Sequence, residues 1–300
     1  MQLSRALKAY DLSCKAYSKI SLCISKIDLN VRKSSYPYLC SDTYLFESQA
    51  KVLSLQDLRN LLMNKSSVKK YKSLYVNGDL VIKLIEYRNA LPRIENLVIM
   101  ESDIPQYVKK LTKLYSKVDR IFSNNLVGKS DRCQPIPLGL ERQAYRSSGR
   151  LANFKPNADS RERKITFLIA WNDSTNINRS RYRREFLKCQ NALIITNRLH
   201  AKTVHKLMRK SMFVPCPAGG GLDTHRVWEA IYLGAVPVVL KSEFCGDSTW
   251  PVIVVEKWLD IIKKSEEDLA NLYLQNRLKK QESINFGIEI LQTIFGKIDE

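Results

Sequence analysis

From about residue 72 the chain alternates short apolar runs with stretches whose apolar residues recur at helical spacing. Residues 73–76 read as a strand, and Asn77-Gly78-Asp79 as a turn into a helix near 80–89. The run Asn96-Leu-Val-Ile-Met100 has the unbroken apolarity of a strand buried on both faces. Ser102 or Asp103 is placed to cap a helix reaching about residue 117, with Pro105 in its first turn, where a missing N–H costs nothing. Residues 118–123 read as a further strand, and 134–138, with two prolines, as an extended edge. Residues 142–163 break the rhythm with Ser147-Ser148-Gly149 and Lys155-Pro156-Asn157, the composition of a linker. The alternation then resumes, with strands at 165–170, 192–196, 212–215, 235–240 and 252–255. Helices fall at 180–189, 200–210 and 222–233, and residues 257–298 are mostly helical.

Strand–helix alternation implies right-handed crossovers and parallel sheets. The expected fold is therefore α/β: two Rossmann-like halves, residues 1–145 and 164–300, joined by a linker at 146–163 and ending in a helical tail. Such halves place a ligand in the cleft between the C-terminal ends of their sheets. The first forty residues are less regular. Lys8, Lys15, Lys19 and Lys26 alternate with apolar residues in a weak amphipathic pattern, read as a surface helix or a membrane-surface helix.

No apolar run approaches the ~20 residues of a membrane span, and the N-terminus lacks a secretory pattern. Seven cysteines without a C-x-x-C pair argue for reduced thiols, a cytoplasmic location and no cysteine-held metal. The net charge of +19 must be solvated or matched by an anionic partner, whether nucleic acid, acidic lipid, acidic glycan or phosphorylated substrate. No nucleic-acid reader motif accompanies it, so specific nucleic-acid binding is not expected.

Residues 213–239 carry the most chemistry: strand, glycine turn, helix, tight turn, strand. Gly219, Gly220 and Gly221 permit close backbone approach and positive φ, directly before an expected helix N-terminus that favours a phosphate. A simple loop is the plainer alternative. In the helix, Val227, Trp228 and Ile231 share one face, and Leu222, Arg226, Glu229 and Leu233 the other, so both charges are expected to be buried. Arg226 and Glu229 either pair at i, i+3, or divide between a pyrophosphate and ribose hydroxyls. His225, one turn earlier than Glu229, could contact sugar or phosphate.

The pattern Pro-x-Gly-x-Gly-Leu-Asp-x-His-Arg-x-Trp-Glu-Ala-x-Tyr-Leu-Gly-x-x-Pro-Val, from Pro217 onward, resembles the C-terminal signature of exostosin-like glycosyltransferases, glycosyltransferase family 47. Weaker similarities lie at 171–179 (Trp-Asn-Asp-Ser-Thr-Asn-Ile-Asn-Arg), 101–103 (Glu-Ser-Asp) and 134–140 (Gln-Pro-Ile-Pro-Leu-Gly-Leu). The sequence departs from the family pattern at Met100-Glu101, where His-Asn is usual, and by one extra glycine in 218–221.

The resemblance implies a GT-B-like architecture and an inverting, metal-independent transfer from a nucleotide-sugar donor, UDP- or GDP-linked, with no cofactor. The acceptor would be a glycan or glycolipid, an anionic one included, and peripheral contact with an acidic membrane is compatible with the charge. Donor-binding candidates are Asn172, Thr175, Arg179, Arg181, Gly219, Gly220, Gly221, Asp223, His225, Arg226 and Glu229. The base is sought in Asp103 or Glu101, the carboxylates expected at the end of a buried strand in the acceptor half. A catalytically silent scaffold on the same fold and a basic nucleic-acid-binding protein are the competing classes.

Overall fold

Parallel pairing organises the chain into two five-stranded sheets. The computed structural model describes residues 38–63, 70–142, 148–154, 163–189, 191–246, 249–277 and 279–296. The helix expected in the first forty residues and most of the expected linker lie outside them. In the first part run β1 (Ala50–Val52), β2 (Lys70–Asn77), β3 (Arg93–Met100), β4 (Gln106–Tyr107), β5 (Val118–Ser123), β6 (Leu126–Val127) and β7 (Cys133–Pro135). Five of these pair in the order β1-β2-β3-β5-β7, and β4 pairs separately with β6. In the second part, β8 (Ile165–Ile169), β9 (Ala192–Ile194), β10 (Ser211–Pro215), β11 (Val236–Leu240) and β12 (Ile253–Val255) take the order β12-β11-β10-β8-β9. Mixed α/β architecture of a Rossmann-like kind, with parallel sheets and a C-terminal helix, is thus the fold class.

The helices are α1 (Ser41–Glu47), α2 (Leu55–Met63), α3 (Val81–Glu86), α4 (Val108–Leu111), α5 (Arg179–Phe186), α6 (Ala201–Met208), α7 (His225–Tyr232), α8 (Leu259–Ile262), α9 (Glu266–Arg277) and α10 (Lys279–Phe295). None of these is long and apolar enough to cross a membrane.

Alternation along the strands decides which layer each face meets. In the first sheet Leu74, Val76, Leu97, Ile99 and Ile121 pack with Leu58, Leu84 and Leu111 of the helices on one side. Tyr75, Val98, Met100 and Phe122 point the other way, onto Tyr44 and onto Ile290, Leu291 and Ile294 of α10. The C-terminal helix therefore covers the first sheet, and the Asn96 side-chain amide donates to the Ile294 carbonyl at 2.7 Å. In the second sheet Phe167, Ile169, Phe213 and Val238 meet α5, α8 and α9. Leu168, Val214 and Val239 meet α6 and α7.

Three sequence expectations require correction. The helix expected to reach residue 117 is mostly replaced: Gln106 and Tyr107 form β4, and α4 starts at Val108 with Tyr107 in the cap position. Asp103 caps nothing there; Ser102 instead accepts from the Ile104 amide and donates to Asp79, a tertiary tie that bends the segment away. The helix expected from 222 begins at His225. Leu222 and Asp223 stay outside it because the Asp223 amide donates to Asn125 Oδ1 and its carboxylate accepts from the Leu138 amide. The helix near 80–89 is broken into α3 between two 3-10 turns, Gly78–Leu80 and Arg88–Ala90.

Candidate functional site

The second sheet winds outward from β8 to β9, then crosses back to β10 and continues to β12. Loops leaving β8 and β10 therefore part in opposite directions, and the crevice between them is where such sheets seat ligands. A cleft of about 240 Å³ lies there. Trp171, Asn172 and Arg179 line it from the β8 side, and Cys216 and Pro217 from the β10 side. Thr224, His225, Arg226 and Glu229 close it from the start of α7.

The two loops are buckled together by Arg179. Its guanidinium donates to the Ala218, Pro217 and Asn172 carbonyls and to Thr175 Oγ1. Nearly all its donors are thus spent inside the protein, and burial lowers its pKa. Asn172 stays exposed at the head of the 173–175 turn, its Oδ1 accepting from the Ser174 amide. Asn176 adds a bond to the Gly219 carbonyl at 3.0 Å, and Glu243 accepts from the Ala218 amide at 2.7 Å.

The positive φ expected of the glycines is not found. None of Gly219, Gly220 and Gly221 has positive φ. The Gly219 amide donates to the Gly221 carbonyl, and Leu222, Asp223 and Thr224 separate the turn from α7. A Cβ on Gly220 would meet Asp103 Oδ2 at 2.3 Å, and one on Gly221 would meet Asn125 Nδ2 at 2.6 Å. Side chains from loops of the first sheet press on this turn, so close approach serves packing between the two sheets' loops.

Helix α7 brings together the charges the sequence singled out. Glu229 is 2% exposed and takes a hydrogen bond from Arg226 Nη1 at 2.8 Å, the i, i+3 pair. His205 Nε2 lies 3.7 Å from the same carboxylate oxygen. Burial pushes the Glu229 carboxyl upward, but Arg226, His205 and His225 outweigh it and hold it at about 2. Arg226 keeps 28% of its side chain exposed, and among the described residues only Nη1 has a partner. His225 donates from Nδ1 to the Gly139 carbonyl at 2.8 Å in the tautomer that leaves Nε2 free to accept.

Asp223 has a structural task. Its carboxylate accepts from the Leu138 amide and from Trp228 Nε1. Burial raises its pKa to about 6, against those bonds and His225. The folded protein therefore takes up this proton well above the pH at which an unfolded carboxyl does. The associated stability is complete below about pH 4 and is lost as pH rises through 6, with a slope of up to about 1.4 kcal/mol per pH unit. Urea unfolding from pH 4 to pH 7 is expected to show this slope in the wild type and not in Asp223→Asn; parallel curves would overturn the assignment.

The remaining candidates stand apart from the cleft lining. Arg181 is exposed, its guanidinium 5.2 Å from the Tyr182 ring centroid. Asp103 is exposed against Gly220, with no hydrogen-bond partner among the described residues. Glu101, in the left-handed region at φ 60°, pairs with Arg142, which also holds Asp42 at 2.9 Å. Asn125, Asn176, Gly139 and His205 were missed. Asn-Asn after a strand is a turn signal that could have exposed Asn125, which sits at φ 51°. His205 lies within an apolar helical pattern and gives no such signal. Among the described residues no group of three or more His, Cys, Asp or Glu side chains is gathered as for a metal ion.

No protein-family model matches the chain, and no curated protein matches it either.

Proposed function

We propose that this chain is an inverting, metal-independent glycosyltransferase of GT-B-like arrangement. The diphosphate of a nucleotide-sugar donor sits in the crevice between the β8 and β10 loops, and a glycan or glycolipid acceptor approaches from the first sheet's side. The observation that carries the reading is Arg226, held by a buried ionised Glu229 with its other donors unspent, at the winding reversal of a parallel sheet.

In an inverting displacement the acceptor oxygen attacks the anomeric carbon as the bond to the diphosphate breaks. Negative charge grows on the leaving oxygen, where Arg226 stabilises it. The acceptor proton passes to a base. His225 is the better-placed candidate, because it lines the cleft and Asp103 and Glu101 do not. Glu101 is instead tied to Arg142 at 3.3 Å.

UDP or GDP, in the presence of EDTA, is expected to raise the melting temperature by several degrees, since a ligand at about a hundredfold its Kd stabilises by ~2.7 kcal/mol. Nucleotide sugars are then screened for hydrolysis and transfer. Absence of a shift with every nucleoside diphosphate would sink the donor-site reading, and a shift without turnover would favour the silent scaffold.

A further inference from the structure

Beside the cleft, α5 and the turn before it divide their side chains sharply. Tyr182, Arg183 and Phe186 face inward, and Arg183 is consumed by Asp173 and by the Trp171 and Ile195 carbonyls. The outer side carries exposed Arg181 and Arg184, which at about 100° per residue stand about 60° apart, and Lys188 is exposed in the turn just past the helix. None of the three is ion-paired among the described residues. Two aliphatic side chains stand beside them in water, Ile177 at 91% exposure and Leu187 at 65%.

A second basic and apolar edge lies across the glycine turn. Ile104 and Tyr107 are exposed, followed by exposed Lys109, Lys110 and Lys113, with the Lys110 ammonium 5.8 Å from the Tyr107 ring centroid. Asp103, next to Ile104, packs on Gly220, and Asn176, next to Ile177, bonds Gly219. The segments that carry Ile104 and Ile177 therefore meet at the same turn.

We propose that this rim is a peripheral docking surface for an anionic lipid bilayer. Unpaired basic side chains supply attraction to acidic headgroups, and exposed aliphatic tips between them can enter the interface. A soluble polyanion would satisfy the cations but leave Ile177 and Leu187 in water, so the aliphatic residues favour lipid over nucleic acid or acidic glycan. No described helix can span a membrane, so the contact would be superficial. The inference stands whatever the cleft binds.

The test is co-sedimentation of the full chain with phosphatidylcholine vesicles, with and without phosphatidylserine, at physiological salt. Binding is expected to need phosphatidylserine. Ile177→Asp with Leu187→Asp, and separately Arg181→Glu with Arg184→Glu, are expected to weaken it by at least about tenfold with unchanged melting temperature. Ile177→Ser, at a nearly fully exposed position, serves if either pair misfolds. No binding to anionic vesicles overturns the proposal. So does full binding by the aspartate pair, or tight binding to heparin or an oligonucleotide that the aspartate pair retains while vesicle binding is absent.

Discussion

Arg226→Ala is expected to weaken nucleoside diphosphate binding by about ten- to a hundredfold, the worth of a lost charge-assisted hydrogen bond. It should destabilise the fold as well. Removing one partner of a buried pair costs about 3–5 kcal/mol, but Arg226 is 28% exposed, so water reaching the site offsets part of that. Glu229→Gln should fail differently. Arg226 remains, less firmly held, so affinity falls by less, and the main loss is stability at neutral pH. The lost contribution has a defined window. A carboxyl held at about 2 stabilises fully above its ordinary value near 4.5 and ceases to as pH falls through 2. Acid unfolding between those values should therefore be shallower in Glu229→Gln than in the wild type. Calorimetric titration and melting curves on both variants decide the matter. Wild-type affinity in folded Arg226→Ala would reduce the pair to a structural element.

Gly139→Ala is expected to be severely damaging for a single added methyl group. Its φ is +72°, and a Cβ would lie 2.2 Å from the Leu39 carbonyl oxygen and 2.9 Å from Cys40 Cα. These are backbone atoms, which cannot swing aside as a side chain can. The left-handed region alone costs an L-residue about 1–2 kcal/mol, and displacing the neighbouring segment adds to it. That segment is held on both sides: Leu140 donates to the Leu39 carbonyl, and the Leu39 amide donates to the Tyr232 hydroxyl of α7. A loss of about 3 kcal/mol or more corresponds to roughly 5 °C or more in melting temperature for a chain of 300 residues. The Gly139 carbonyl also holds His225, so the surviving folded protein should bind the diphosphate more weakly. A melting curve within a degree of wild type would show that residues 39–40 yield easily.

Much of this was legible locally. The apolar runs at 96–100 and 235–240 lie on β3 (Arg93–Met100) and β11 (Val236–Leu240), because a strand buried on both faces needs no alternation to reveal it. The burial of Arg226's helix followed from apolar residues all round it. What failed depended on partners far along the chain. Ser102 reads as a helix cap until Asp79 claims its hydroxyl, and the start of α7 is postponed by Asn125 and Leu138. Three glycines read as free to take positive φ, and none does; Asp103 and Asn125 press on two of them instead. The strand order that creates the crevice is likewise a tertiary choice that no local pattern encodes.

The position of α10 has a consequence for synthesis. Tyr75, Val98, Met100 and Phe122 form an apolar face whose cover includes Ile290, Leu291 and Ile294, and the Asn96–Ile294 bond spans 198 residues. At ~5–20 residues per second, translation leaves that face partly bare for roughly 10–40 s after Asn96 is made. During that interval the nascent first sheet offers a sticky surface to chaperones and to other chains emerging nearby. Truncation before residue 286 would make the exposure permanent, turning a transient folding hazard into a standing one.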